Sequence, residues 1–311
     1  MNPERRYLPV PDGLVGERVD RALARLLGLS RAQVGKLIAD NQVRIDGELA
    51  KASMRLGAGA MLDVHIPGPK QPAPDIKVDG MRIIHDDPDI VVVDKPVWVA
   101  AHASRGWSGP HVVGSLRASG FRITGLGPVE REGIVHRLDV GTTGVMVVAK
   151  SDRAYSELKA AFRERRVTKR YLALAHGEFA HRVGTIEAPI GHAGGNAWKM
   201  AIRDDGKPAI THYRVQHTYP RASLVQVELE TGRTHQIRVH CAAIGHPLLG
   251  DTLYGASADM ANELGLTRQW LHASELHFIH PGTGMPVTYR APIPADLQAA
   301  LDHIASEGQN C

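Results

Sequence analysis

Cysteine is nearly missing from this chain, with two in 311 residues, Cys241 and Cys311. Two thiols cannot build a disulfide framework, and neither sits in a Cys-x-x-Cys pair. Long apolar runs are missing as well. The longest wholly apolar stretches, such as Ile90 to Val93, are far too short to cross a bilayer. The opening Met1-Asn2-Pro3-Glu4-Arg5-Arg6 has no apolar run behind its charges, unlike a secretory signal. A soluble, cytoplasmic, monomeric protein is the expectation. Among chemical motifs there is no Gly-x-x-x-x-Gly-Lys-Ser/Thr, no Gly-x-Gly-x-x-Gly after a strand and no His-Glu-x-x-His. The 17 histidines suggest metal groups at His235/His240/His246 and His272/His277/His280, but their spacings fit no usual ligand pattern. The chemistry is therefore expected to use neither metal nor nucleotide cofactor. Charge is balanced too: 37 Lys and Arg against 33 Asp and Glu give +4, a weak lean toward a polyanionic partner.

What is present is ordinary globular composition, 43% hydrophobic and 23% charged, in a length that suits about two domains. The first reads from residue 16 to 66. Val19, Leu23, Leu26 and Leu27 fall at helical spacing up to Gly28. Ser30-Arg31-Ala32-Gln33 has the form of a capping box for a second helix reaching Asp40. Val43 and Ile45 alternate with polar residues before Asp46-Gly47, a tight-hairpin signal, and Leu62, Val64 and Ile66 alternate again. Residues 67–80, rich in proline, read as a linker. Residues 81–305 mix short strands (Ile90 to Val93, Val145 to Ala149, Tyr171 to Ala175, Leu224 to Leu229) with helices, the clearest from Asp152 to Val167 with Tyr155, Leu158 and Phe162 on its buried face. No regular βαβ alternation appears, so the expected class is α+β: a central mixed, largely antiparallel sheet flanked by helices, behind a small ααβ module.

Two segments concentrate chemistry. Gly133 to Asp139 reads as a strand entering the loop Val140-Gly141-Thr142-Thr143, with a second strand from Gly144 to Lys150. A carboxylate on such a loop presents a fixed charge to a substrate, although an Arg137–Asp139 pair tying down a turn suits the same residues. Leu229 to His240 packs Arg233, His235, Arg238 and His240 around Ile237. If Gln236 to Val239 is a strand, Arg238 can reach inward to a buried acid and hold it ionised. Surface arginines on a basic strand are the plain alternative.

His136-Arg137-Leu138-Asp139 with Gly144 and Ala149-Lys150 resembles the active-site motif of the RluA/RluD-type RNA pseudouridine synthases. Its companions follow in the family's order: Asp94-Lys95-Pro96, Lys169 to Leu174 ending at Gly177, Thr231 to His240, and Gly245-His246-Pro247 through Gly250-Asp251 to Tyr254-Gly255. The resemblance spans about residues 81 to 295. Arg18-Val19-Asp20, Ser30-Arg31, Val43 to Gly47 and Leu62 to Val64 resemble the ribosomal S-four-type RNA-binding domain, with Asn41 and Asp46 where that family more often has Gly and Asn. The resemblance implies Asp139 as the essential carboxylate, nucleophile or base. It implies Arg137 as the residue entering the RNA where a base leaves, and Tyr171 as the ring stacking on the uracil and helping remove the C5 proton. Arg238 would be the partner of Asp139, with Ile237, Leu138 and His136 as pocket walls.

RNA is the implied partner, most of all large-subunit ribosomal RNA, with transfer RNA as the alternative and no membrane partner. Its contacts fall to Arg18, Arg31, Lys36 and Arg44 in the module and to Lys159, Arg163, Arg166, Lys169, Arg170, Arg233 and His235 beside the pocket. Residues 150–170 alone carry +5, and Lys159, Arg163, Arg166 and Arg170 are spaced to line one helical face. The chain departs from the family at Trp98, where Gly is usual, at Ala103, where Pro is typical, and at Val140-Gly141, where a charged pair is usual. Trp98 is read as a core filler in preference to a stacking platform; His102 near the pocket is ambiguous. A non-catalytic ribosome-assembly factor and a base-releasing glycosylase are the rival readings.

Overall fold

In the computed structural model, which describes residues 4–66, 75–103, 107–194 and 199–307, the spacing of Val19, Leu23, Leu26 and Leu27 folds as α1 (Val19–Leu27). Gly28 ends it in the left-handed region, φ 66°, with its N–H bonded to the Ala24 carbonyl. The Ser30–Gln33 capping box forms in both directions and starts α2 (Arg31–Ala39). Strand β1 (Glu4–Pro9) comes earlier than residue 16, where the sequence reading begins the module. Asp46 (φ 51°) and Gly47 (φ 84°) turn β2 (Val43–Ile45) into β3 (Glu48–Leu49), the double positive φ that a two-residue hairpin favours. Asn41 also takes positive φ (57°), so the turn-formers standing in for Gly and Asn do the same backbone work. With β4 (Met61–Ile66) the antiparallel order is β1-β4-β2-β3, and Val19, Leu23, Val34, Val43, Leu62 and Val64 fill a core under the helices.

The chain divides into two compact units, Met1–Pro72 and Ala73–Cys311. Residues 67–74 of the expected linker, and Cys311, lie outside the described residues. The second unit begins with β5 (Arg82–Asp86), β6 (Ile90–Lys95), α3 (Val112–Ala118), β7 (Thr143–Ala149), α4 (Asp152–Arg163) and β8 (Thr168–His176). It continues with β9 (Val183–Glu187), the small hairpin β10 (Ile190–His192) and β11 (Met200–Ile202), β12 (Ile210–Thr218) and β13 (Ala222–Leu229). It closes with α5 (Gln236–Ala243), α6 (Ala258–Glu263), β14 (Leu271–Ile279), β15 (Pro286–Arg290) and α7 (Ala295–Glu307). The main sheet runs β5-β6-β7-β14-β8-β13-β12-β9, antiparallel except where β14 meets β7, and β15 adds to β14. This is the α+β arrangement expected. Among the described residues no helix is long and apolar enough to cross a membrane.

The one parallel junction positions everything that follows. Strands β7 and β14 pair only at His272↔Thr143 and Ala273↔Gly144, after which β14 turns to β15. Strand β7 is buried along its whole length, so its free edge must find partners. The segment 133–136 supplies them: Gly133 accepts from Ala149 N at 2.9 Å, Ile134 bridges Val148, and the His136 ring accepts from Val147 N at 3.0 Å. The expected strand at 133–139 is therefore an irregular segment with one bridge and a side-chain acceptor, not a ladder strand.

Three other expectations change. The helix from Asp152 stops at Arg163, and Arg165 takes positive φ (59°), so Arg166 lies in the following turn and Arg170 on β8. Lys159, Arg163, Arg166 and Arg170 do not line one helical face. Gln236 to Val239 is the first turn of α5 rather than a strand. A short apolar run does not distinguish the two, and here Gln236 decides it by bonding Ile210 O, Thr211 Oγ1, Thr231 Oγ1 and Arg233 N at the helix start. Trp98 is not core: it is 47% exposed.

Candidate active site

A cavity of about 730 Å³ opens where the segment 134–139, β8 and the start of α5 converge. Asp139 lies at its floor, 18% exposed at the side chain, and the turn after it is closed by Thr142 N bonding Asp139 O at 3.0 Å. Arg238 reaches it from α5, with Nη1 3.6 Å from Asp139 Oδ2. The stronger partner of Arg238 is Asp251: Nε donates to Oδ2 at 2.6 Å and Nη2 to Oδ1 at 2.8 Å, with the Asp251 side chain 1% exposed. Burial pulls the Arg238 pKa down, but the Asp251 hydrogen bonds and the charges of Asp251 and Asp139 push it up on balance. The expected Asp139–Arg238 pair is thus one arm of a three-residue array, with Arg238 oriented by a fork and one N–H-bearing nitrogen facing Asp139.

His235 closes the other side. It caps α5 in the left-handed region, φ 56°, with Nε2 3.9 Å from Asp139 Oδ2. Its Nδ1 meets Tyr254 Oη at 2.8 Å, and that oxygen already accepts Met200 N at 3.0 Å. With Nδ1 paired to the Tyr254 hydroxyl, Nε2 is the ring nitrogen that faces Asp139. Burial lowers the His235 pKa against the opposing pull of Asp139. The Arg238 guanidinium lies over the Tyr254 ring, 4.9 Å from its centre.

Tyr171 enters from β8, between Val227 of β13 and Ala273 of β14, and is 7% exposed. Burial, and then the Asp139 charge, raise its pKa far above the usual phenol range, so it holds its proton. Leu138 and Ile237, both 4% exposed, wall the cavity. His136 lines it too, stacked on Phe162 with ring centres 4.7 Å apart. His102 is buried against the carbonyl of Ala103 and also lines it. Behind the loop, fully buried Lys95 donates to Val99 O (2.7 Å), Pro96 O (3.0 Å) and Val140 O (3.3 Å). Burial pushes its pKa down to about 7, with Asp139 opposing the shift.

The cationic residues sort into two groups. Lys159, Arg163, Lys169, Arg233 and His235 line the cavity, as does exposed Arg137. Lys169 is 9% exposed, and burial pulls its pKa to about 8. Arg131 and Arg165 also line it: Arg131 escapes sequence reading because no motif contains it, and Arg165 entered only as part of the basic run 150–170. Arg166 and Arg170 do not: Arg166 forks onto Glu164, and Arg170 bonds Glu228 at 3.2 Å and Glu275 at 2.7 Å. In the first unit, Arg18 and Arg31 share the buried carboxylate of Asp20, Lys36 is 3.8 Å from Asp40, and Arg44 bonds Gly47 O. Those hydrogen bonds hold the Asp20 carboxyl well below the usual range.

Asp251 and Tyr254 belong to the Asp139 array and were left without roles by sequence reading. Their one signal is the run from Gly250-Asp251 to Tyr254. The histidine groups His235/His240/His246 and His272/His277/His280 do not assemble into a ligand cluster. Among the described residues the close clusters are His85–Asp87–His280 and Glu263–His303–Glu307. In the first, His280 Nδ1 accepts from Gly282 N and Thr283 N, so its Nε2 carries a proton and donates to Asp87 at 2.8 Å. In the second, both carboxylates are bound by Arg221. Each is satisfied by its own hydrogen bonds.

The family model described as RNA pseudouridylate synthase matches residues 89–243, and the S4 domain model matches residues 17–62. An uncharacterized RNA pseudouridine synthase of Mycobacterium tuberculosis is 55% identical over 97% of this chain and 99% of its own length. The ribosomal large subunit pseudouridine synthase D of Xanthomonas campestris is 36% identical over 97% and 93%. Among solved structures, human RNA pseudouridylate synthase domain containing 1 matches with TM-score 0.57 and 30% identity, covering 76% of this chain and 97% of that one.

Proposed function

The chain belongs to the family of RNA pseudouridine synthases, and on that premise we propose that it isomerises uridines of large-subunit ribosomal RNA with Asp139 as the essential carboxylate. The isomerisation breaks the bond between uracil N1 and the ribose, turns the base and rejoins it through C5. The proton lost from C5 is matched by one gained at N1, so no redox partner or group donor enters. Relatives named for the large subunit in Xanthomonas, Nitrosomonas and Zymomonas, at 36–38% identity, support the substrate.

The observation that carries the reading is the Asp139 carboxylate at the cavity floor, faced by Arg238 Nη1 at 3.6 Å and His235 Nε2 at 3.9 Å. A stacked uridine cannot reach it, so the base must leave its helix, an unstacking that costs a few kcal/mol. Exposed Arg137, two residues from Asp139, suits the gap the base leaves behind. Tyr171 offers its ring face to the uracil. Because its phenol stays protonated at rest, Tyr171 can take the C5 proton only as its own phenol proton leaves to an acceptor, and over the whole reaction that loss is balanced by the proton gained at N1. Leu138 and Ile237 exclude water, which keeps the detached base from escaping. Lys159, Arg163, Lys169 and Arg233 suit the phosphates on either side.

Mass analysis of large-subunit RNA treated with the wild type and with Asp139→Ala tests this. Pseudouridine should form with the wild type and be lost with the variant. Full activity of the variant, or release of free uracil, would overturn the reading.

A further inference from the structure

Trp98 occupies the turn after β6 with φ 61°, a backbone conformation that disfavours every residue with a Cβ and most of all a bulky one. The turn is fixed to the catalytic loop. Trp98 N donates to Val140 O at 3.0 Å, and Lys95 Nζ binds that same carbonyl together with those of Pro96 and Val99, on either side of Trp98. Val140 is the residue after Asp139. The hydrogen bonds thus hold position 98 in the left-handed region, where glycine would fit without strain. This chain instead places its largest kind of side chain there and leaves it 47% exposed.

Position lends that exposure meaning. The Trp98 backbone is hydrogen-bonded to Val140, the neighbour of Asp139, and four residues further on His102 lines the cavity, so the turn that carries the exposed indole is joined at both ends to the loops that form the site. Arg131 and Arg137, both exposed, provide cations for phosphates along the same opening. An exposed flat aromatic face on a turn tied to the Asp139 loop, in a site that also offers such cations, suits single-stranded RNA, whose bases stack on aromatic rings while the backbone follows positive charge. Strained residues persist where function retains them.

We propose that Trp98 is a stacking platform for a nucleotide adjacent to the flipped uridine, a contact that sets affinity for the RNA. The inference rests on the reading of the chain as an RNA-modifying enzyme. It goes beyond that reading by assigning a recognition role to a side chain outside the catalytic set.

Large-subunit RNA transcribed in vitro serves as the probe, with initial rates of pseudouridine formation and filter-binding Kd measured for wild type, W98G, W98F and W98L. Glycine keeps the turn, so W98G should hold kcat within about twofold while KM and Kd rise about tenfold, in the range of base–aromatic stacking. W98F should recover most of the loss, and W98L, apolar without a π face, should not. Unchanged KM and Kd in W98G, rescue by W98L equal to that by W98F, or a fall in kcat alone would each overturn the proposal. A wild type that binds the RNA without forming pseudouridine would sink the catalytic reading alone, because the Kd series still judges Trp98. A wild type that does not bind would overturn both.

Discussion

His136 shows how much one side chain does at this site. Its Nε2 accepts the Val147 N–H, a bond that a protonated ring cannot accept, and burial, helped by Lys169, lowers its pKa to about 3. An unfolded histidine takes up its proton near pH 6.5. Between those values the unfolded chain binds the extra proton, so this contribution is whole at neutral pH and is lost as pH falls through 6.5 toward 3. Going from pH 7 to pH 5 should remove at most about 2 kcal/mol through this ring. Asn at this position does not titrate, so His136→Asn should flatten the pH dependence of urea stability by about 1 kcal/mol per unit near pH 5–6. An unaltered slope would show that the ring is not held neutral. The motif His136 to Asp139 was legible as a sequence, but what its histidine does was not, because the Val147 amide is brought to it only by the splaying of β7 from β14.

Among the elements, the short parallel contact between β7 and β14 sets the geometry. Gly144 has φ 116°, and a Cβ there would come within 2.2 Å of the Ala273 carbonyl oxygen. Neither strand can give way, since both lie inside the sheet. Gly144→Ala should cost about 3 kcal/mol or more, read as a lower urea midpoint at unchanged m-value. A loss under about 1 kcal/mol would mean that the two strands part to admit the methyl group. Strands β2, β4, β6, β7, β8 and β13, α1, the capping box and the Asp46–Gly47 hairpin were readable, because each is specified by residues a few positions apart; β1, β5, β9 to β12, β14 and β15 carried no comparable local pattern. The first turn of α5 was not: Gln236-Ile237-Arg238-Val239 suits a strand as well as a helix, and its choice rests on partners about 25 residues back in β12. The fork from Arg238 to Asp251 depended on that choice.

For the whole molecule, charge distribution changes its meaning once the units are known. Residues 1–72 contain eleven basic and eight acidic residues, so the first unit holds +3 of the chain's +4. In the second unit, the +5 of residues 150–170 is countered by Glu228, Glu230 and Glu275, which take up Arg170 and Arg165. With that surplus, the first unit is expected to add phosphate contacts to those beside the cavity. A chain lacking residues 1–72 keeps its own core and should still form pseudouridine at saturating RNA. Its KM should rise, and the slope of log Kd against log salt should shallow by roughly two or three. An unchanged slope would return the phosphate contacts to the catalytic unit.

By itself the sequence determined the two-part organisation, the α+β class, the family motifs and the candidacy of Asp139, Tyr171 and Arg238, since patterns and motifs are local and survive without coordinates. Tertiary structure alone decided which acid orients Arg238, which ring nitrogen of His235 faces Asp139, which arginines line the cavity and that Trp98 is exposed. Each of those depends on groups far apart in the chain that meet only when β7, β8, β14 and α5 close on one cavity, and hydrogen bonds and desolvation act over ångströms, not over sequence separation.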